Sequence, residues 1–272
     1  FNKLLTIKAP SPALFLCILY NMVKSVYLGS WTITKEIKTM VKYLLNMNGS
    51  NAKILKSQKG TEYKIASLSL YPDIKICPAQ IMADCKEPCL VSAGRGSMNS
   101  IKNIRQSKTD FWHNDKQSFI ELLLSEMFKF KRRCENSGFK AAFRLNTISD
   151  IDWSKYIDLN LFSDCLLYDY TKIAARLKKP ASNYNLIFSY SAAPKYQNQV
   201  KAALKTSAPI AAVFRGGLPK TFLGREVIDG DKSDLVNIKA FNKIVGLKLK
   251  GGKSIQSIKS PFVVDVVNGV AI

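Results

Sequence analysis

The feature that most constrains the fold is a series of seven short apolar runs, rich in β-branched and aromatic residues, which alternate with helical stretches or polar connectors. Some runs, such as IAAVF at 210–214, are apolar at every position, as in strands that are buried on both faces. Repeated strand–helix–strand order predicts an α/β fold with a mainly parallel sheet, shaped as a partial (βα) barrel. The predicted strands are residues 65–71, 141–146, 165–170, 185–190, 210–214, 226–228 and 243–249.

The predicted helices occupy the connections between these strands. A long helical stretch at 99–134 is expected to break near Asn114, and shorter helices are expected at 153–161, 171–178 and 194–206. With 272 residues, of which 47% are apolar, the chain is long enough to bury a sizeable core. We expect a single α/β domain at 47–272, and we interpret 1–46 as an N-terminal appendage or spurious upstream sequence.

Three of the six cysteines, Cys77, Cys85 and Cys89, lie within thirteen residues directly after the first predicted strand. Thiolates at a strand end are typical ligands of zinc or of an iron–sulfur cluster, and three of them leave one coordination position free. The alternative is that they are ordinary buried residues, or a disulfide with one thiol left over. Because no secretory signal is visible, we expect a reducing intracellular setting, which favours metal binding.

Polar residues follow most of the predicted strands, at the edge where parallel sheets and barrels carry their sites. We expect these residues to form one pocket for a phosphate-bearing or nucleotide-like ligand. The predicted catalytic residues are Asp150, Asp169, Lys172, Asp229 and Asp231. The predicted ligand-binding residues are Arg95, Arg144, Asn146, Ser149, Tyr170, Ser189, Ser233 and Asp234.

Each acidic motif also has a simpler interpretation. The turn from Asp229 to Asp234 resembles a cation-binding loop in composition, but a turn held by its own Asx hydrogen bonds is an equal alternative. Asp150 and Asp152 are typical of magnesium ligands or general bases, and equally of caps for a helix that begins at Trp153.

Charge and histidine content narrow the function classes. The chain has 41 Lys or Arg against 20 Asp or Glu, a net charge of +21, which indicates a polyanion such as nucleic acid as a partner. The lysines are spread along the chain, however, so a solvated surface is the alternative. His113 is the single histidine, which argues against serine or cysteine triads and histidine-bound catalytic zinc. The apolar run at 13–20 is too short to span a bilayer, so no membrane association is expected.

Ordered motifs over residues 51–264 resemble the phage and prophage protein family named for mycobacteriophage gene product 88. The resemblance implies a phage setting, the cytoplasm of an infected bacterial host and a shared fold. The motifs are AKILK at 52–56, LSL at 68–70, CP at 77–78 with Cys85 and Cys89, AGRG at 93–96, RLN at 144–146 with SD at 149–150, YDYTK at 168–172, NY at 183–184 with FS at 188–189, and VIDGD at 227–231 with SD at 233–234.

The cysteine loop is also similar in architecture to that of radical S-adenosylmethionine enzymes, which place three cysteines after the first strand of a partial barrel. That similarity implies a four-iron ([4Fe–4S]) cluster. The spacing differs, with seven and three intervening residues here where that family has three and two, and no clear glycine-rich methionine-binding motif follows the second strand.

Three functions are therefore carried forward. We expect a phage-encoded α/β protein with a three-cysteine metal or iron–sulfur site and a strand-end ligand pocket, acting as a radical-type enzyme. The first alternative is a magnesium-dependent enzyme that processes nucleic acid, with Asp150, Asp152, Asp229 and Asp231 as metal ligands. The second is a non-catalytic, zinc-stabilised nucleic-acid-binding protein. The sequence leaves the oligomeric state open.

Overall fold

A computed structural model describes residues 41–47, 52–89, 94–178 and 181–272 of the chain. The chain divides into two compact units, which are Phe1–Lys42 and Tyr43–Ile272. The sheet lies in the second unit. The predicted appendage lies outside the described residues except for its last six positions. None of the helices in the described part of the chain has the length and hydrophobicity of a membrane span.

The described residues form eleven strands, six α-helices and several short 3₁₀ turns. The strands are β1 (Leu45–Asn46), β2 (Tyr63–Leu68), β3 (Lys140–Arg144), β4 (Leu166–Thr171), β5 (Tyr184–Ser189), β6 (Ile210–Arg215), β7 (Thr221–Phe222), β8 (Arg225–Asp229), β9 (Ile244–Lys248), β10 (Val263–Val267) and β11 (Val270–Ala271). The helices are α1 (Ala52–Gln58), α2 (Asn99–Asn114), α3 (Lys116–Asn136), α4 (Gln197–Leu204), α5 (Asp234–Asn237) and α6 (Lys253–Gln256).

All eleven strands belong to one sheet, which is mostly parallel. Its order is β1-β2-β3-β4-β5-β6-β9-β8-β7, and the strands from β2 to β8 in this order pair in parallel, while β1 and β7 pair antiparallel at the two ends. Strand β10 pairs in parallel with the last residues of β6, and β11 pairs with β10. The sheet is open among the described residues. The mainly parallel α/β fold is confirmed, whereas the barrel-like shape stays a prediction.

The two faces of the sheet have separate cores, because successive side chains of a strand point to opposite faces. On the face covered by α1 and α5, called the α1 face, Ala142, Tyr168 and Ile187 pack with Ile54 of α1. On the face covered by α3 and α4, called the α4 face, Phe143 lies edge-on to Phe130 of α3, with ring centroids 5.8 Å apart. On that face Phe188 stacks on Tyr196 at 5.7 Å, just before α4.

The predicted break in the long helical stretch is confirmed, whereas two other predicted helices are replaced by 3₁₀ turns. Asp115 separates α2 from α3, and its carboxylate accepts a hydrogen bond from the amide of Ser118 (3.0 Å). Residues 153–161 and 171–178 instead contain the 3₁₀ turns Trp153–Lys155, Leu159–Phe162 and Ala174–Lys178. A local reason is visible at Asp158, whose carboxylate binds the Asn160 amide and so competes with helical hydrogen bonding.

Candidate functional site

The segments that follow β2, β3 and β4 meet at the carboxyl edge of the sheet. The Asp150 amide, after β3, donates to the carbonyl of Ile76 in the cysteine loop (2.8 Å). The Asp150 carboxylate in turn accepts a hydrogen bond from the Lys172 amide, directly after β4 (2.7 Å). Neighbouring parallel strands end at the same edge, so the fold brings these sequence-distant segments into one site.

The start of the cysteine loop is held by Asp73. Its carboxylate accepts hydrogen bonds from the amides of Lys75 (2.7 Å) and Ile76 (3.0 Å), and its carbonyl accepts one from the Cys77 amide (2.9 Å). His113, on α2, lies 2.6 Å from the same carboxylate, Nε2 to Oδ2. The single histidine of the chain therefore connects α2 to the cysteine loop.

The middle of the loop is fixed by two buried hydroxyls. Ser191 donates to the carbonyl of Ala83 (2.7 Å), and Ser260 donates to the carbonyl of Asp84 (2.6 Å). Asp84 has a positive φ of 49°, in the left-handed region that Asp adopts more readily than most residues. These contacts place Cys85 against the core of the α4 face, where it is only 5% exposed.

Three thiols lie near the side chain of Lys172. Its Nζ lies 3.8 Å from the sulfur of Cys77, and Cys85 and Cys89 are both close enough to act electrostatically on the ammonium and on Cys77. Lys172 is half-buried as a residue, but its ammonium lies deep among these groups. The three cysteines thus share one cationic neighbour.

Burial and charge act in opposite directions on these groups. Burial raises the pKa of Cys85 to about 11 and also raises that of Cys77, although Lys172 opposes both shifts. Burial alone would lower the pKa of Lys172, but ionised Cys77 and Cys85, together with Asp150, raise it above its ordinary value. Cys77 and Cys85 are therefore protonated at neutral pH when no ligand is bound, and Lys172 stabilises their thiolates once these form.

A ready-made site for a single metal ion is absent from the part of the chain that the structure describes. Nowhere in it do three Cys, His, Asp or Glu side chains form a group that could hold one ion. The three thiols are neighbours in this arrangement, but they do not form such a group.

Asp150 links the thiols to a buried arginine. Its side chain is fully buried and forms an ion pair with the guanidinium of Arg176, which is itself only 7% exposed. The same guanidinium also contacts the hydroxyls of Thr171 (3.3 Å) and Tyr184 (3.2 Å). Since an unpaired buried charge is costly, Arg176 supplies the counter-charge for the Asp150 carboxylate at this depth.

Asp169, on the α4 face of β4, is the second buried carboxylate. It accepts hydrogen bonds from the Asn146 amide (2.6 Å), the Asn146 side chain (3.2 Å) and the Tyr184 hydroxyl (2.7 Å). Burial raises its pKa to about 6, although these hydrogen bonds and the charges of Arg144 and Arg176 act in the opposite direction. A carboxyl group with such a pKa exchanges protons near neutral pH, as a general acid or base must.

A third buried carboxylate, Asp234, lies on the α1 face at the start of α5. It is fully buried, and it accepts from Lys53 Nζ (2.7 Å), Arg144 Nη1 (2.7 Å) and the Tyr170 hydroxyl (3.0 Å). Its amide is bound by the hydroxyl of Ser57 on α1 (2.8 Å). Burial acts to raise the pKa of Asp234, but the two cations outweigh it and hold the pKa below its ordinary value.

Taken together, the buried groups around β3 and β4 carry a surplus of positive charge in the described part of the chain. Asp150, Asp169 and Asp234 are the carboxylates, and the cations are Lys53, Arg144, Lys172 and Arg176. One of these carboxylates, Asp169, has a pKa near 6 and so contributes less than a full charge in weakly acidic solution. These groups lie on both faces of the sheet, so the surplus of one positive charge belongs to the two faces together.

A cavity of about 300 Å³ adjoins this network on the α4 face. Tyr184 and Arg176 form part of its wall, and Asp152, Ser154 and Lys155 form another part. The remaining lining residues are apolar or small: Ile173, Ala175, Ala181 and Leu186. The volume is at the lower end of the range for ligand pockets in proteins.

The other predicted site residues lie in different surroundings. Asp229 accepts a hydrogen bond from the Asp231 amide (3.0 Å), and Asp231 pairs with Lys250 (2.7 Å), so both carboxylates already have partners within the protein. Ser149 donates to the side chain of Asn146 (2.8 Å), next to Asp169. In the described residues, the acidic side chains predicted to bind magnesium do not come together in a group that could hold one ion.

Three of the predicted ligand-binding residues remain to be placed. Ser189 is buried at the end of β5, where its carbonyl accepts from Tyr196 (2.8 Å). Ser233 precedes α5 without a side-chain capping bond. Arg95 lies in the 3₁₀ turn Gly94–Ser97.

Sequence reasoning missed three residues that are central to the geometry: Lys53, Arg176 and Tyr184. Lys53 and Tyr184 lie within motifs of the family resemblance, and that was the available signal. Arg176 lies in the predicted helix at 171–178 and was not singled out there, whereas its guanidinium is buried between Asp150 and Tyr184.

Comparison with known proteins gives one match. The family model described as gene product 88 matches residues 31–265, which is most of the chain. No curated protein and no solved structure matches. The match includes the cysteine loop and all three buried carboxylates, and it begins earlier than the motifs at 51–264. The chain belongs to the phage gene product 88 family.

Proposed function

We propose that this protein binds a [4Fe–4S] cluster through Cys77, Cys85 and Cys89, and acts as a radical-type enzyme on a phosphate-bearing or nucleotide-like ligand bound at the strand ends. The observation that carries the proposal is that three thiols lie near the enclosed Lys172 ammonium at the carboxyl edge of a parallel sheet, with Cys77 in contact with it. Three protein ligands leave one iron of the cluster open to a substrate or a second cofactor.

The electrostatics of the site support an anionic metal–thiolate group. Metal binding removes the protons from thiols, and Lys172 stabilises the thiolates that result. The surplus of buried cations around β3 and β4 is then reduced by the cluster and its thiolates. A nearby positive charge also favours the reduced, more negative state of a cluster, since charge near the site helps to set its potential.

A cluster and a single zinc ion make different demands on the three thiols. Zinc needs its ligands tetrahedrally around one point, and no such point is found in the described residues. A four-iron cluster instead binds each thiolate at a different iron atom. In this proposal Asp150 and Asp169 move protons at the ligand, because both are buried beside the thiols or the cavity and histidine is absent from the network.

Architecture and setting complete the proposal. The parallel strands from β2 to β6 follow one another in chain order, as in a partial (βα) barrel, and the loop after its first parallel strand carries the cysteines. A phage protein with reduced thiols fits the cytoplasm of an infected bacterium. Zinc-stabilised nucleic-acid binding and magnesium-dependent processing of nucleic acid remain the alternatives, and the net charge of +21 is the observation that favours a nucleic-acid partner.

The test is anaerobic purification of the full chain followed by analysis of iron, zinc and labile sulfide and by an absorption spectrum. We expect brown protein with about four irons and four sulfides per chain, as the cluster formula requires. The triple variant Cys77→Ala, Cys85→Ala, Cys89→Ala should be colourless.

Matched controls are available in the same chain. Cys134 and Cys165 are also buried cysteines, but they lie away from the loop, so Cys134→Ala and Cys165→Ala should keep iron and colour. If the triple variant kept its iron, the cluster assignment would be wrong. Stoichiometric zinc in colourless wild-type protein would replace the proposal with the zinc alternative.

A further inference from the structure

The cavity on the α4 face has walls of two kinds. One side is apolar, formed by Ile173, Ala175 and Leu186, and the other carries charged groups and hydroxyls. A half-apolar, half-polar wall is typical of pockets that hold a small organic ligand in one orientation. Neither the sequence motifs nor the family match assigns a ligand to this cavity.

Two cations lie in the polar wall. Arg176 is deeply buried, and its Nε has no hydrogen-bond partner in the described part of the chain, although the other guanidinium nitrogens contact Asp150 and Tyr184. Lys155 has a side chain that is 72% exposed. Its Nζ is 3.9 Å from the carboxylate of Asp152, which is too long for a strong hydrogen bond.

Asp152 supplies the complementary polarity. Its carboxylate accepts a hydrogen bond from the Ser154 hydroxyl (2.6 Å), which fixes the direction of its other oxygen. A carboxylate in this position repels a bare anion, but it is a good acceptor for sugar hydroxyls, the role that acidic residues have toward ribose in nucleotide sites. Cations and a carboxylate in one wall therefore fit a ligand that carries both an oxyanion and hydroxyl groups.

We propose that this cavity binds a small sugar phosphate, with the phosphate contacting Lys155 and Arg176 and the hydroxyls contacting Asp152. The inference deepens the proposed function and rests on its phosphate-bearing ligand, but it does not depend on the cluster. The volume of about 300 Å³ suits a pentose phosphate or a nucleotide fragment rather than a dinucleotide. Tyr184, which joins Arg176 to Asp169, forms the wall nearest to the proton-transfer groups.

The experiment is isothermal titration calorimetry of the full chain with ribose 5-phosphate, ribose and inorganic phosphate, each in a separate titration at constant ionic strength. Ribose 5-phosphate should bind at millimolar concentration or tighter, and at least about ten-fold more tightly than either fragment, since contacts by both halves of one ligand reinforce each other. Lys155→Ala should weaken binding of ribose 5-phosphate by about two- to five-fold, as for an exposed ion pair. Asp152→Asn should reduce the ratio by which ribose 5-phosphate binds more tightly than inorganic phosphate.

Lys195→Ala is the matched control, because Lys195 is an exposed lysine of another 3₁₀ turn and does not line the cavity. The proposal is overturned if ribose 5-phosphate does not bind at millimolar concentration, or if Lys155→Ala and Lys195→Ala have equal effects. Iron content separates this result from the cluster proposal. Binding by iron-free protein that depends on Lys155 supports the sugar-phosphate site even where the cluster assignment fails.

Discussion

The buried carboxylate of Asp234 provides the sharpest test of the electrostatic reasoning. It receives hydrogen bonds from Lys53, Arg144 and Tyr170, and the exposed fraction of its side chain is zero. Asp234→Asn keeps the size of the side chain but removes its charge, which leaves the guanidinium of Arg144 buried without a counter-charge. Breaking one partner of a buried pair costs about 3–5 kcal/mol of unfolding free energy.

For a compact unit of this size, a loss of about 3–5 kcal/mol corresponds to a fall in Tm of roughly 6–20 °C. The loss should be largest near neutral pH. Because the folded-state pKa of Asp234 is lowered, its contribution to stability is present above the unfolded value of about 3.9 and is lost as pH falls through the folded value. The difference between wild type and Asp234→Asn should therefore shrink in strong acid.

The assay is urea unfolding at pH 7, monitored by far-ultraviolet circular dichroism. Glu135→Gln is the matched control, since it removes one carboxylate of a surface pair with Lys131 (2.7 Å) and should change stability by less than about 1 kcal/mol. Replacing both members of the pair, in Arg144→Met with Asp234→Leu, should cost less than Asp234→Asn alone, because the buried guanidinium is then removed together with its counter-charge. Equal losses in Asp234→Asn and Glu135→Gln would refute the reasoning.

Two further predictions concern the buried carboxylate of Asp169 and the cysteine loop. The folded-state pKa of Asp169 is raised to about 6, so its contribution to the free energy of unfolding is full below the unfolded pKa and falls by about 3 kcal/mol as pH rises through 6. Asp169→Asn should lack this pH-dependent contribution in urea unfolding between pH 4 and 7, and an unchanged pH dependence would contradict the prediction. His113→Ala should lower the free energy of unfolding by less than about 1 kcal/mol but accelerate amide hydrogen exchange at residues 75–77, because His113 on α2 contacts the Asp73 carboxylate that binds the loop amides. Unchanged exchange at these residues would show that the contact does not hold the loop.

Periodicity in the sequence was sufficient for the central sheet. The seven predicted strands all occur, and runs such as 210–214 are apolar at every position, as in strands that are buried on both faces. Strand β10 was missed although its sequence VVDVV has the composition of a strand. The two-residue strands β1, β7 and β11 have no periodicity to detect, since their pairing depends on a neighbour that other parts of the chain supply.

The candidate site was predictable in its location but not in its partners. Parallel strands end at one edge, so polar residues after β3 and β4 had to lie near the cysteine loop. Which cation meets which carboxylate was not predictable from spacing. Asp150 and Arg176 are 26 positions apart, and Arg144 and Asp234 are 90 positions apart.

The sequence by itself determined the mainly parallel α/β fold, the family and the three clustered cysteines, because each is a property of local pattern or of ordered motifs. Only the tertiary structure decided that Lys172 lies among the thiols, that Asp169 has a pKa near 6, and that Arg176 and Tyr184 line a cavity. The physical reason is that burial and charge pairing depend on distances between segments far apart in the chain, and those distances exist only once the sheet has formed.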